Sequence, residues 1–145
     1  MAQTATDIAQ AAADLTQAFN DSDWERGRSL CTPDVVYNET GTGRRIEGVD
    51  AYVALLQGWK EAFPDVRGTI RRSLAGDGTV AQDIRWEGTH TGPMQTPAGT
   101  LPPTGNHISV QGTVWVSFDG AKAREVHNHL DLLTLLQQTG ALPGG

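Results

Sequence analysis

Two amides and a few histidines are the side chains of this 145-residue sequence whose types and spacing could do chemistry. Strand alternation over residues 108–118 puts Ser109, Gln111, Thr113, Trp115 and Ser117 on one face and Val110, Val114, Val116 and Phe118 on the other. Over 123–130 the same alternation groups Val126, Asn128 and Leu130, opposite His127 and His129. Each strand thus presents one neutral amide, Gln111 or Asn128, beside apolar or aromatic neighbours. A buried amide without hydrogen bonds costs on the order of 1–3 kcal/mol. These two therefore either satisfy each other in a core or orient a bound polar group. The His127-x-His129 pair points both rings to one side of a strand and, with His90, His107 or Glu125, has the makings of an imidazole metal site. A surface or interface pair is the plainer reading, and no metal is expected.

Nucleophile and nucleotide motifs are missing. There is no Gly-x-Ser-x-Gly elbow, and Cys31 has no histidine nearby in sequence. The stretch Gly41-Thr42-Gly43-Arg44-Arg45-Ile46 fails the Gly-x-Gly-x-x-Gly pattern at its last position, and no Gly-Lys-Ser/Thr loop exists. No cofactor is expected.

The elements that must position these residues follow from periodicity. Ile8, Ala11, Ala12, Leu15, Ala18 and Phe19 recur at helical spacing over 6–20, with Thr6 or Asp7 as the cap. Asp23 is placed to cap a second short helix through Leu30, which takes Cys31 as a small buried apolar residue at its end. Residues 35–38 form a short strand, and 39–48, rich in glycine, a loop. A third helix covers about 50–63, with Tyr52, Leu55, Leu56, Trp59 and Phe63 on one face, and Pro64 stops it. Strands follow at 67–75, 79–90, 108–118 and 123–130, with Asp119-Gly120 as a hairpin turn. Asp131 caps a last helix over 132–139, closed by Gly140. The segment 91–107 carries Pro93, Pro97, Pro102 and Pro103 with Gly92, Gly99 and Gly105. It reads equally as a lid or as a plain long connection.

Composition bounds the rest. One domain spanning 1–145 fits the length. Eleven Lys and Arg against seventeen Asp and Glu give a net charge of −6, which disfavours nucleic acid and anionic membrane as partners. A lone cysteine excludes an internal disulfide and suits a reducing, cytoplasmic setting. No apolar run approaches a membrane span, and no leader pattern opens the chain.

Helices followed by a meander of strands make an α+β arrangement in which helices cover one face of a curved antiparallel or mixed sheet and a short helix closes the chain. Several stretches resemble the SnoaL-like polyketide cyclases of the nuclear-transport-factor-2-like (NTF2-like) superfamily. They are Ala18-Phe19-Asn20 with Asp23-Trp24-Glu25, Thr32-Pro33-Asp34-Val35-Val36-Tyr37, Ala62-Phe63-Pro64-Asp65, Gly88-Thr89-His90-Thr91-Gly92, Pro102-Pro103-Thr104-Gly105, Phe118-Asp119-Gly120, and the run from Asp131 to Gly140. Together they cover nearly the whole chain in order.

The resemblance implies an NTF2-like cone with a deep apolar pocket, a homodimer, a hydrophobic small-molecule ligand of polyketide type, and ring closure or isomerisation without metal or cofactor. It places Asn128 where that family carries an acid/base aspartate, and Gln111 at a pocket glutamine. Phe19 falls at an aromatic of the first helix and Tyr37 at a polar residue of the first strand; Trp59, Trp86 and Thr113 complete the expected substrate contacts. An amide neither takes nor gives a proton at neutral pH. The proton carrier is therefore sought in His90, Asp131 or Glu39, although Asp131 is equally the cap of the last helix. The other reading is a non-catalytic binding or dimerisation module of the same fold.

Overall fold

A computed structural model describes residues 4–96 and 98–142, so Pro97 of the proline-rich segment lies outside the described residues. The first helix, α1 (Ala5–Asn20), is capped by Thr4 rather than by Thr6 or Asp7. The Thr4 side chain accepts from the Asp7 backbone N–H while the Asp7 carboxylate accepts from Thr4, a capping box. As expected, Asp23 caps α2 (Trp24–Ser29). Cys31 is not helical. It is the first residue of β1 (Cys31–Thr40), where burial pushes its thiol up to about 11 and removes it as a nucleophile.

The expected 39–48 loop is instead a hairpin: β1 runs on to Thr40, and β2 (Arg44–Glu47) pairs antiparallel with it from Val36↔Glu47 to Glu39↔Arg44. Four residues of β2 are too few to show period-two alternation between glycines, which is why the sequence reads as a loop. Next come α3 (Val49–Ala62), β3 (Arg67–Gly76) and β4 (Thr79–Thr89). Segment 91–107 contains a small hairpin, β5 (Met94–Thr96) with β6 (Gly99–Leu101). The chain ends with β7 (His107–Asp119), β8 (Lys122–Leu130) and α4 (Leu132–Thr139), which Asp131 caps and Gly140 closes.

Six strands form one sheet in the order β2-β1-β8-β7-β4-β3, antiparallel throughout except for the parallel β1–β8 pair. Bulges at Cys31/Val36, Ile70/Arg72 and Ser117/Phe118 bend the sheet. The helices cover its concave face, giving the NTF2-like cone. Two apolar clusters fill it. One gathers α1, α3 and the strand centres around Val35, Tyr37, Ile84, Val114 and Val126; the other packs Phe19, Phe63, Val66, Ile108, Val110 and Leu135. Among the described residues no helix is long and apolar enough to cross a membrane.

Candidate functional site

Between those clusters the cone stays open as a cavity of about 860 Å³ including its mouth. Its wall is almost wholly apolar: Leu15 and Phe19 from α1, Tyr52, Leu56 and Trp59 from α3, Ile84 from β4, Ile108, Val110, Val114 and Val116 from β7, and Leu135 from α4. Each strand contributes every second residue, and strand parity decides which polar groups enter.

Asn128 does. It pairs across the sheet with Val114, and that pairing turns both to the concave side. Gln111 does not. It shares its face with Thr113 and the exposed Trp115, so it lies outside the cone and donates to Asp83 Oδ1 at 2.6 Å. Thr113 is likewise on the outer face, opposite Asp83 and His129. The expected meeting of Gln111 with Asn128 is corrected by the β7–β8 register, which brings Val114 and not Gln111 beside Asn128.

The second amide to enter, beside Asn128, is Gln82 of β4, across from Val114 on the other side of β7. Its side chain is fully buried, its Oε1 accepts from Thr16 Oγ1 at 3.5 Å, and its Nε2 has no partner among the described residues. Alternation over β4 could have found Gln82, since Val80, Ile84 and Trp86 share its parity.

Asn128 ends a short polar chain. Tyr37, which lines the cavity, donates its hydroxyl to Glu39 Oε2 at 2.6 Å and accepts from Asn128 Nδ2 at 3.2 Å. Burial first, then the nearby Glu39 charge, hold the Tyr37 hydroxyl well above the usual phenol range, so it keeps its proton. Glu39 is buried; its Oε1 accepts from Thr42 Oγ1 at 2.7 Å and lies 3.6 Å from Arg44 Nη1. The hairpin that was not foreseen supplies both Thr42 and Arg44. Arg44 also lies 5.8 Å over the Trp59 ring and donates to the Gln95 carbonyl, joining β2, α3 and β5.

Trp86 completes the set. Gly68 of β3 gives its ring a bare backbone to lie on, since a Cβ there would sit 2.4 Å from the indole. Phe19 meets the ring edge-on at 5.4 Å between centroids. Trp86 Nε1 and Asn128 Oδ1 are both buried, and neither has a partner among the described residues.

The profile of the SnoaL-like polyketide cyclases matches residues 9–139. The chain belongs to that family. Solved structures agree on the fold. A SnoaL-like polyketide cyclase candidate from Jannaschia sp. CCS1 is 18% identical, with 99% of each chain covered and a TM-score of 0.86. AclR of Streptomyces galilaeus, named as a hydroxylase candidate, is 23% identical over 98% of this chain and 86% of its own, with a TM-score of 0.83. IdmH of Streptomyces antibioticus, named as a polyketide cyclase candidate, is 25% identical over 92% of this chain and 98% of its own, with a TM-score of 0.78. No curated protein matches.

Of the expected site residues, Phe19, Tyr37, Trp59, Trp86 and Asn128 line the cavity. His90 is fully buried behind it, against the Phe63 ring at 5.2 Å between centroids, with Nδ1 3.1 Å from Thr104 Oγ1. Backbone bonds from His90 to Asn106 and Gly105 make it the root of the 91–107 segment. Asp131 caps α4, accepting from the Thr134 backbone N–H at 3.1 Å and its hydroxyl at 2.7 Å. That is the structural alternative foreseen for it. His127 and His129 stack 4.1 Å apart on the outer face and share the Thr40 hydroxyl.

Proposed function

We propose that this SnoaL-like chain is a cofactor-independent enzyme that moves protons on a hydrophobic, oxygen-bearing small molecule of polyketide type, as in cyclisation or isomerisation. The observation that carries the reading is the pairing of an apolar cavity with three buried polar atoms left unpartnered among the described residues: Asn128 Oδ1, Trp86 Nε1 and Gln82 Nε2. A buried polar atom without a partner costs on the order of 1–3 kcal/mol; a ligand oxygen recovers it at the donors Trp86 Nε1 and Gln82 Nε2, and a ligand hydroxyl at the acceptor Asn128 Oδ1. Phe19, Tyr52, Trp59 and the β7 valines would hold the carbon skeleton. Donors aimed at a carbonyl oxygen favour the enolate that forms when a neighbouring carbon loses its proton.

On this reading Asn128 replaces a proton-transferring aspartate, and it binds rather than titrates. Of the three candidate proton carriers, His90, Asp131 and Glu39, it is Glu39 that is hydrogen-bonded to a residue of the cavity wall, Tyr37. The reading also includes a homodimer and a cytoplasmic setting.

The test is exchange of α-hydrogens of an apolar ketone, 2-tetralone, in D2O, followed by proton NMR. The wild type is expected to accelerate exchange over buffer, and Asn128→Ala to slow it. Saturable binding without acceleration, in the wild type and in Asn128→Asp alike, would make the chain a binding module instead.

A further inference from the structure

The hydrogen-bond polarity of the cavity is fixed from outside it. A carboxylate only accepts, and Glu39 uses one oxygen for Thr42 Oγ1 and the other for Tyr37. The single hydroxyl proton of Tyr37 is therefore committed to Glu39, and toward Asn128 the tyrosine oxygen can only accept. Asn128 must then turn its NH2 to Tyr37 and its carbonyl oxygen into the cavity. The amide orientation thus follows from the chain of donors and does not rest on telling nitrogen from oxygen.

Gly112 marks where that oxygen points. A Cβ built there would lie 3.4 Å from Asn128 Oδ1, 3.3 Å from Trp86 Nε1 and 3.6 Å from the His129 carbonyl, so the first two, both side-chain atoms, border the same bare patch of backbone, and a small ligand group lying over it is placed between them. The first is an acceptor and the second a donor. A carbonyl oxygen placed there would take the indole N–H and leave Asn128 Oδ1 unpaired; an ether would do the same. An O–H satisfies both, accepting from Trp86 and donating to Asn128.

Building on the proposed function, we infer that the niche over Gly112 selects an enol, phenol or alcohol hydroxyl of the ligand against a ketone or ether, and that Glu39 and Tyr37 are positioning residues that set this preference. An enol formed from a bound ketone, by loss of a proton from carbon and gain of one on oxygen, is better matched by the niche than the ketone itself.

The test compares 2-naphthol with 2-methoxynaphthalene and 2-tetralone by titration calorimetry. The wild type is expected to bind 2-naphthol on the order of tenfold more tightly than either, the cost of one unpaired buried acceptor. In Glu39→Gln the side-chain oxygen stays with Thr42 and Arg44, so its NH2 faces Tyr37. The Tyr37 proton then turns to Asn128, the amide flips, and the preference for the hydroxyl falls to parity or reverses. Tyr37→Phe releases the amide and is expected to level the three affinities, which decides the matter if Glu39→Gln does not fold. Equal wild-type affinity for naphthol and its methyl ether would overturn the inference while leaving the cavity a binding site. A preference that survives in folded Glu39→Gln or Tyr37→Phe would overturn it as well. Failure of all three compounds to bind would remove the proposed function, and this inference with it.

Discussion

Asn128, Trp86 and Gln82 work as a set because each brings one unpartnered polar atom into a wall that is otherwise mostly carbon. The space that makes this usable is the missing side chain of Gly112. In Gly112→Ala the new methyl occupies the point shared by Trp86 Nε1 and Asn128 Oδ1. Binding of 2-naphthol should weaken on the order of tenfold, while the melting curve shows that the sheet still forms. His90 acts at the same scale but on stability. Burial lowers its pKa below the ordinary 6.5, and its Nε2 has no partner among the described residues. A depressed histidine contributes stability above the unfolded value and loses it as pH falls toward the folded one. Denaturant midpoints should therefore drop as the pH falls through and below about 6.5. His129, whose pKa burial and His127 also lower, contributes to the same drop. In His90→Gln only the His90 share should disappear.

At the scale of elements, parity governs what each residue can touch. Alternation along β7 and β8 was legible in the sequence, and it sorted the faces of both strands correctly. Alternation alone does not show which face of one strand joins which face of the next, because that depends on register. Gln111 was therefore grouped with Asn128, while Gln82, one strand over, went unnoticed. The β1–β2 hairpin was hidden for a different reason: its second strand is short and bracketed by glycines. With it went Thr42 and Arg44, the partners that define the role of Glu39. Helix ends, by contrast, were read well where a side chain caps them, as at Asp23 and Asp131. Asp131→Ala should lower stability by about 1 kcal/mol in denaturant titration, since it removes the cap and the Thr134 contacts of α4. The pH profile of ketone exchange should not move, whereas a proton carrier at Asp131 would shift it.

For the whole molecule, the two faces of the sheet have different work. The concave face carries the cavity; the outer face carries Trp115, nearly half exposed at 47%, beside the stacked His127 and His129. The proposed homodimer would cover that outer face. Sedimentation at micromolar concentration should give twice the 15.5 kDa mass. Trp115→Lys should shift it toward the monomer while 2-naphthol still binds. A wild-type monomer would remove the dimer from the account without touching the cavity.

The central claim is that the apolar cavity receives a hydroxylated ligand at Trp86 and Asn128. The four tryptophans, Trp24, Trp59, Trp86 and Trp115, give four separate indole N–H signals in a nitrogen–proton correlation spectrum. Titration with 2-naphthol should move the Trp86 signal furthest, as its N–H gains an acceptor, and leave Trp115 in place. Saturating 2-naphthol with an unmoved Trp86 signal, or a change confined to Trp115, would contradict the account.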